Sequence, residues 1–294
     1  MRGQILDSLF SLMESNGDIF FLTADMGIGL VERFEKRYPD RYMNVGIAEQ
    51  NLIGVAAGLA NTGYRPFVYT ISNFAVERCF EQIRNDICIH RYPITILGTS
   101  CGYDNAPLGP THHILDDWGA LGVLPGLDIY CPASKKFAAT VIQRILKSRR
   151  PAYVRIPKGS PEEPASDNML VVCPGSARKT VLLSYGTPAQ ECLQAREIDP
   201  RLAVIILNRL LPLPEDLAAA LDPYSSIIVV EDHFPDHGLF GAICRLATVS
   251  SLRGKIQSLA PKDYSLEVGV TPGYYHFLAG IDAKSIVSVA GGVK

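Results

Sequence analysis

Short runs of β-branched and aromatic residues alternate along this chain with longer segments of helical period. A fully buried strand is a continuous apolar run, and a covering helix repeats apolar residues every three to four positions. The alternation is therefore typical of a parallel sheet with helices on both faces. In the first half we predict strands at about 18–23, 66–70, 93–98, 127–131 and 152–156. Helices are predicted between them, near 3–15, 46–61, 74–90 and 134–148.

The pattern is interrupted after the fifth predicted strand. The segment Ile156–Pro164 has three prolines in nine residues, a density that suits an extended linker. The alternation then resumes, with strands predicted near 180–185, 202–207 and 226–231 and helices near 188–197, 214–221 and 237–250. We therefore predict an α/β protein with two domains, each a mostly parallel sheet flanked by helices, over residues 1–160 and 176–294, joined by a linker at 161–175.

The composition narrows the classes of partner. Lys and Arg number 28 against 30 Asp and Glu, a formal net charge of −2, so no overall basic field attracts nucleic acid or an anionic membrane. The longest apolar runs are a few residues, whereas a bilayer-spanning helix needs about 20. The amphipathic start does not resemble a signal peptide, and the seven cysteines form no C-x-x-C pair. We expect a soluble, cytoplasmic protein with reduced thiols that binds neither nucleic acid nor a membrane.

The segment 44–60 is the first that contains a candidate functional residue. Read as a helix that begins near Gly46, it places Glu49 in the first turn and a stripe of Gly and Ala on one side. The small residues would let the backbone of a partner approach closely. A first-turn Glu is usually a capping or helix-dipole residue, so the segment by itself leaves a structural and a functional role open.

Two further segments lead out of predicted strands. Phe74 follows the strand near 66–70, and the loop after the strand near 93–98 carries the adjacent His112 and His113. Ligands of open α/β sheets bind at the carboxyl ends of the strands, where an aromatic ring can stack on a heterocycle and a histidine can handle protons. Only Asp116 and Asp117 lie near enough in sequence to add metal ligands, so we predict no metal site in this chain.

These three segments together resemble a known family. Gly-Ile-Ala-Glu-Gln at 46–50, Phe74 and Gly-Pro-Thr-His-His at 109–113 are similar, in order and spacing, to the pyrimidine-binding domain of the transketolase family of thiamine-diphosphate enzymes. Arg155 and the opening Met-Arg-Gly continue the similarity, and the second domain resembles the family's C-terminal domain. The chain most resembles the C-terminal section of a transketolase split into two polypeptides.

The resemblance implies roles at the cofactor. Glu49 would contact a ring nitrogen of the aminopyrimidine and share a proton with it, which favours the tautomer that activates thiamine diphosphate. Phe74 would stack on the pyrimidine. Ile71 stands where the family has a second flanking aromatic residue, and Asp25 is assigned to the same cofactor site.

The resemblance also implies roles at the substrate. His112, which we group with Glu49 as catalytic, would hydrogen-bond hydroxyl groups of the donor, with His113 beside it. Arg155 matches an arginine that binds the phosphate of the substrate, and Arg2 would be a second anion ligand.

Several positions depart from the family pattern. Leu108 stands where transketolases usually have an Asp that reads sugar hydroxyls, Ser100 replaces a phosphate-binding histidine, and Gly29 replaces a phosphate-binding serine. We therefore expect a retained thiamine site and an altered acceptor channel, suited to a phosphate-poor or more apolar acceptor.

The diphosphate end of the cofactor implies a partner. Family members hold Mg²⁺ and diphosphate with a Gly-Asp-Gly motif followed about 30 residues later by Asn, and no Gly-Asp-Gly occurs in this sequence. We predict that an N-terminal transketolase subunit supplies that domain, that the assembly is an α₂β₂ heterotetramer acting on sugars or sugar phosphates, and that this subunit alone is inactive.

Three alternatives stay open. The chain could be the β subunit of a 2-oxo acid dehydrogenase E1 component, or belong to an enzyme like 1-deoxyxylulose-5-phosphate synthase. It could also be a scaffolding subunit that keeps the fold without catalysis. The Gly-Pro-Thr-His-His loop favours transketolase, and the joint presence of Glu49, Phe74 and His112 argues against a scaffold.

Overall fold

The protein is built on two β-sheets, seen in a computed structural model that describes residues 1–159, 166–177 and 179–291. The strands are β1 (Ile19–Thr23), β2 (Tyr42–Asn44), β3 (Arg65–Ile71), β4 (Thr95–Thr99), β5 (Asp128–Tyr130), β6 (Ala152–Ile156), β7 (Leu170–Cys173), β8 (Thr180–Ser184), β9 (Ala203–Leu207), β10 (Arg209–Leu211), β11 (Ser226–Val230) and β12 (Lys255–Leu259).

Helices cover both sheets. They are α1 (Arg2–Ser15), α2 (Glu32–Arg37), α3 (Glu49–Asn61), α4 (Ser72–Val76), α5 (Phe80–Gln82), α6 (Asp117–Gly122), α7 (Lys135–Ser148), α8 (Pro188–Ile198), α9 (Leu217–Leu221), α10 (Leu239–Val249), α11 (Pro272–Leu278) and α12 (Ala283–Gly291). Among the described residues, none of these helices has the length and apolar character needed to cross a membrane.

The strand order matches the predicted fold class. The first sheet runs β10-β5-β6-β4-β3-β1-β2 and the second β12-β11-β8-β9-β7. Neighbouring strands are parallel except for two antiparallel pairs, β10 with β5 and β7 with β9. Two mostly parallel sheets flanked by helices are what the alternating sequence pattern predicts, so the α/β class is confirmed.

Burial explains why the central strands read as unbroken apolar runs. Every residue of β1, β4 and β6 is buried, because helices pack on both faces of the sheet. On one face, α1 and α7 pack together over the first sheet. On the other face a single apolar core runs from the first sheet into the second, joining residues such as Ile129 and Tyr153 to Leu183 and Val229.

Part of the predicted linker belongs to the second sheet. Residues 160–165 lie outside the described residues, but Leu170–Cys173 forms β7 and pairs with β9. Only Val171 of these four residues is fully buried, so the segment lacks the apolar run that marks a central strand.

A strand from the second half of the chain completes the first sheet. Arg209–Leu211 pairs antiparallel with β5 and forms the edge of that sheet. The sequence pattern does not predict this strand or β2, since each has only three residues. It also misses β12, which mixes polar and apolar residues and has none that is fully buried.

The long helix predicted near 74–90 is broken. It consists of α4, a turn at 77–79, α5, and a π-helix over Ile83–Cys88. Breaks and π-turns of this kind are frequent at functional sites. Arg78 lies on the turn, which frees its side chain from the regular helix surface.

Candidate active site

The predicted site residues follow four neighbouring parallel strands. Asp25 follows β1, Glu49 follows β2, Phe74 follows β3, and the loop with His112 follows β4. Because β2, β1, β3 and β4 are adjacent and parallel, their carboxyl ends meet at one edge of the sheet. The site is therefore assembled at the position where α/β sheets bind ligands.

The side chain of Asn44 fastens two of these loops together. Its Oδ1 accepts hydrogen bonds from the backbone N–H of Asp25 at 2.9 Å and of Gly46 at 3.0 Å, and its Nδ2 donates to Asp25 Oδ1 at 3.3 Å. Gly46 has φ +76°, a conformation that glycine adopts without strain. This clamp fixes the loop that delivers Glu49.

Glu49 is the first residue of α3 and is almost fully buried, with 3% of its side chain exposed. Its carboxylate makes no capping bond to its own helix and instead accepts a 2.5 Å ion-paired hydrogen bond from Nη1 of Arg78. The neighbouring Cys79 is affected as well: burial first, and then the charge of Glu49, raise the pKa of its thiol to about 12, while Arg78 opposes the rise. A buried carboxylate held by one cation is more than a helix-dipole residue.

Arg78 joins Glu49 to Phe74. Its guanidinium carbon lies over the Phe74 ring, 4.4 Å from the ring centroid, and its backbone carbonyl accepts a hydrogen bond from Gln50 Nε2 at 3.1 Å. The sequence reasoning above gives Arg78 no role. In the continuous helix predicted near 74–90, a Phe and an Arg four residues apart would have been the available signal.

His112 lies beside Phe74, with ring centroids 5.3 Å apart in an edge-on arrangement. Its Nδ1 is within 3.0 Å of the hydroxyl of Thr111, whose carbonyl accepts a hydrogen bond from Asn73 Nδ2 at 2.9 Å. The bond from Asn73 ties the loop to α4. Glu49, Arg78, Phe74 and His112 therefore form one contiguous cluster.

His113 departs from the position that the resemblance implies. It is buried against the rings of Tyr103 and Tyr275, at centroid distances of 5.1 and 4.5 Å. Neither ring nitrogen has a hydrogen-bond partner among the described residues. Burial, and next the charge of His112, lower the pKa of His113 to about 4. Its imidazole packs edge-on against the stacked pair of Tyr103 and Tyr275. That His113 binds substrate stays a prediction.

Replacing His113 with Phe is expected to flatten the acid limb of the stability profile. Above pH 6.5 the wild-type imidazole is neutral in the folded and in the unfolded protein. Between pH 6.5 and 4 the unfolded protein binds the proton more strongly than the folded one. The free energy of unfolding therefore falls as pH falls, by at most about 1.4 kcal/mol per pH unit. The variant lacks this proton. Urea unfolding at pH 4 to 7 measures the slope. His90→Phe, at an exposed histidine, should keep the wild-type slope; an unchanged slope in His113→Phe would contradict the assignment.

Arg155 is also placed differently. It is fully buried, its Nε donates to Asp117 at 2.9 Å, its Nη2 donates to Asp232 at 3.1 Å, and its guanidinium lies over the Tyr185 ring. Burial lowers the pKa of this arginine, but the two carboxylates outweigh it and raise the pKa. Two carboxylates already pair with this fully buried cation, and its assignment to a substrate phosphate stays a prediction. Arg155 on β6 of the first sheet thereby links Asp117 to Asp232, which follows β11 of the second sheet.

The remaining predicted residues lie around the cluster. Ile71 is half-buried at the end of β3, and Asp25 and Arg2 are exposed. Arg2 lies near the buried hydroxyl of Tyr69, whose pKa is raised by burial and lowered in part by the Arg2 charge. Leu108 is 53% exposed on the loop of His112. The assignments of Arg2 and Asp25 to ligands stay predictions.

The buried acid Glu231 has a structural explanation. Glu231 accepts hydrogen bonds from the N–H groups of Leu239 and Phe240, at 2.7 and 2.9 Å, and so caps α10. In the described part of the chain, no group of three or more His, Cys, Asp or Glu side chains is arranged to hold a metal ion.

Comparisons with known proteins bear on the whole chain. The family described as transketolase, pyrimidine binding domain, matches residues 1–163. A 1-deoxy-D-xylulose-5-phosphate synthase of Thermus thermophilus is 30% identical over 288 residues, which cover 95% of this chain and 46% of the relative. The chain thus spans about half the length of that relative.

Two further similarities cover most of both chains. One subunit of an apulose-4-phosphate transketolase of Phocaeicola vulgatus is 30% identical over 255 residues, 82% of this chain and 81% of the relative. Among solved structures, a split-gene transketolase described as an inactive β4 tetramer has a TM-score of 0.82 at 24% identity, covering 98% of this chain and 95% of that one. The last similarity shows the shared fold.

Proposed function

Because the chain belongs to the transketolase family, through the pyrimidine-binding domain in residues 1–163, we propose that it is a subunit of a thiamine-diphosphate-dependent transferase. The reaction moves a two-carbon ketol unit from a ketose, or ketose phosphate, to an aldehyde. The observation that carries the proposal is the buried carboxylate of Glu49 in one cluster with the Phe74 ring and the His112 imidazole, at the ligand-binding edge of the sheet.

The cluster fits an aminopyrimidine. The guanidinium of Arg78 is a planar group that donates an N–H to Glu49 and lies over the face of Phe74. An aminopyrimidine sharing a proton with Glu49 would make the same two kinds of contact. The chain therefore has the acceptor and the aromatic face that this half of thiamine diphosphate requires.

Each residue has a defined task in the reaction. Thiamine diphosphate, when bound, supplies the electron sink for the two-carbon unit. Glu49, whose side chain is 3% exposed, holds a proton at the pyrimidine ring nitrogen. Phe74 orients the ring, with Ile71 at the end of the same strand. His112 orients the donor by hydrogen bonding to its hydroxyl groups, with Thr111 fixing one ring nitrogen.

A second polypeptide holds the diphosphate and Mg²⁺ in this proposal, in an α₂β₂ assembly. The relative that is one subunit of a transketolase and the structure described as an inactive β4 tetramer support a separate partner. The exposed face of α3 offers a contact surface: Ile47 is 79% exposed just before the helix. A Cβ placed on Gly54 or Gly58 meets no described atom within 4 Å. A partner backbone can approach this face closely.

Gly54→Leu is expected to weaken association with the partner at least tenfold while leaving the fold intact. Gly54 lies on an open helix surface, so leucine adds bulk without an internal clash, and loss of a helical glycine gains about 0.5–1 kcal/mol of helix stability. Sedimentation of the mixed subunits gives the dissociation constant, and thermal melting reports the fold. Ser11→Leu, on an exposed position of α1, is the control. Equal association of both variants would place the partner elsewhere.

The substrate surroundings favour an acceptor with little phosphate. Leu108 presents an apolar, half-exposed side chain on the His112 loop, and Arg155 is enclosed by carboxylates. Arg2 stays in the proposal as an anion ligand at the rim. Efficient turnover of ordinary xylulose and ribose phosphates would contradict this part of the proposal.

A second candidate is a synthase that takes a 2-oxo acid as donor. The 30% identity to a 1-deoxy-D-xylulose-5-phosphate synthase along 95% of this chain favours it. Such a donor loses carbon dioxide before transfer, and a ketose does not, so release of carbon dioxide separates the two reactions. Release of carbon dioxide from a 2-oxo acid would also identify the β subunit of a 2-oxo acid dehydrogenase E1 component.

The test is reconstitution. The chain is co-expressed with a polypeptide of similar size, encoded beside it, that carries Gly-Asp-Gly with a downstream Asn. With thiamine diphosphate and Mg²⁺, the pair is expected to transfer a two-carbon unit from ketoses in a panel of phosphorylated and free sugars, detected by mass spectrometry, and neither chain alone should do so. A pair that assembles and binds the cofactor but transfers nothing from any ketose would overturn the proposed reaction.

A further inference from the structure

One side chain occupies both contacts that the proposed ring needs. Arg78 Nη1 lies 2.5 Å from Glu49 Oε2, and the guanidinium carbon lies 4.4 Å from the Phe74 centroid. Glu49 has one cation within ion-pair distance in the described residues, and Arg78 is that cation. The carboxylate and the aromatic face are thus both engaged by a residue of the same chain.

The guanidinium is chemically suited to stand in for the ring. It is planar, it donates several N–H groups in one plane, and it is weakly hydrated, so it both stacks on aromatic faces and pairs with carboxylates. A lysine ammonium has the charge without the planar shape. The arrangement therefore copies the stacking contact and the hydrogen bond of an aminopyrimidine with a group that is already in the protein.

The physical reason for such a contact is the burial of Glu49. A carboxylate with 3% exposure is costly without a counter-charge, and removing one member of a buried pair leaves that cost uncompensated. Arg78 supplies that counter-charge. It reaches the carboxylate from the solvent side, since 44% of its own side chain is exposed.

Arg78 is also placed so that it can leave. It lies on the 77–79 turn between α4 and α5, and Gln50 holds its backbone carbonyl, so the side chain can rotate while the backbone stays fixed. A half-exposed arginine that swings into water recovers its hydration. Rotation of this single side chain would free both the carboxylate and the aromatic face, which is the open arrangement of the site.

We propose that Arg78 is an internal occupant of the pyrimidine site: it fills the contacts of Glu49 and Phe74 until the ring displaces it. This inference rests on the proposed function, since it assumes that the site takes an aminopyrimidine. Any ring must compete with Arg78, so its apparent affinity is reduced by the fraction of molecules in the open arrangement.

Arg78→Met tests the competition. Unphosphorylated thiamine is the probe, because it carries the ring without the diphosphate, and binding to the full-length chain is measured by titration calorimetry. If about a tenth of the molecules are open, the variant is expected to bind thiamine about tenfold more tightly than wild type. Arg78→Lys keeps the charge but loses the planar group and should fall between the two.

Arg84→Met is the matched control. Arg84 is an exposed arginine on the following helical segment whose guanidinium contacts Asn85, so this variant loses the same charge without opening the site. It should bind thiamine like wild type. Thermal melting of each variant verifies the fold, and Glu49→Gln in the Arg78→Met background should remove the gain.

The outcomes separate this inference from the proposed function. If Arg78→Met binds thiamine no more tightly than wild type, while the reconstituted pair binds thiamine diphosphate and turns over, the occupant role is wrong and the function stands. If neither variant nor the reconstituted pair binds thiamine or its diphosphate, the proposed function fails and the inference fails with it.

Discussion

Glu49→Gln is expected to lower kcat of the reconstituted enzyme roughly a hundredfold to ten-thousandfold, the usual contribution of a positioned proton-transfer group. Glutamine keeps the size of the side chain but cannot share a proton with the ring nitrogen. The measurement is turnover with saturating cofactor and substrates, so that weaker binding is not mistaken for slower chemistry. Because Arg78 is partly exposed, the loss of its partner leaves a solvated cation and the fold should be retained.

The control for this variant is Glu81→Gln. Glu81 is an exposed acid in α5, on the same stretch of chain, and removing its charge should leave kcat within about twofold of wild type. A scaffolding subunit would be indifferent to both substitutions. Full activity of Glu49→Gln would therefore exclude the proposed role of Glu49 and favour a scaffolding subunit.

Arg155→Met is expected to destabilise the protein by about 3–5 kcal/mol, because it leaves Asp117 and Asp232 buried without their shared counter-charge. For a chain of this size that is a fall in Tm of about 10 °C. Urea and thermal unfolding of the isolated chain measure it. Arg201→Met, which breaks an exposed pair with Asp199, should change stability by less than about 1 kcal/mol.

The same variant decides between two roles of Arg155. If it bound a substrate phosphate, as the family resemblance implies, Arg155→Met would raise KM for phosphorylated substrates and leave the unfolding midpoint unchanged. The buried geometry predicts the reverse: a lower midpoint, with KM unchanged at temperatures where the variant is folded. A second variant, Asp232→Asn, should also lower stability without touching the substrate site.

Much of the fold could be predicted because its central strands are buried on both faces. The runs at Ile19–Thr23, Ala152–Ile156 and Ala203–Leu207 are buried throughout and almost wholly apolar, a pattern typical of covered parallel strands. Edge strands lack this pattern. The strands at 170–173, 209–211 and 255–259 are short or mixed in polarity. They are strands because they hydrogen-bond to strands far away in the sequence.

The site could be predicted in part for a different reason. Glu49, Phe74 and His112 are carried by local motifs that end up at one sheet edge, so their order in the sequence indicates their meeting in space. The partners of Arg155 are 38 and 77 residues away, and those of His113 include Tyr275. Contacts between residues so far apart in the sequence leave no local pattern. The resemblance could therefore suggest a role for Arg155 and His113, but it could not predict which side chains surround them.

The antiparallel edge strand at Arg209–Leu211 sets a condition for recombining relatives of this protein. Consider a chimera of two parents with the crossover in the proline-rich stretch at 156–164. In this chimera, β5 of one parent would have to pair with β10 of the other. To keep a matched pair, the three residues of β10 would have to come from the parent that supplies the other strands of the first sheet, although they are encoded some fifty codons beyond that crossover. The first sheet therefore cannot be exchanged between relatives as one continuous segment of the chain.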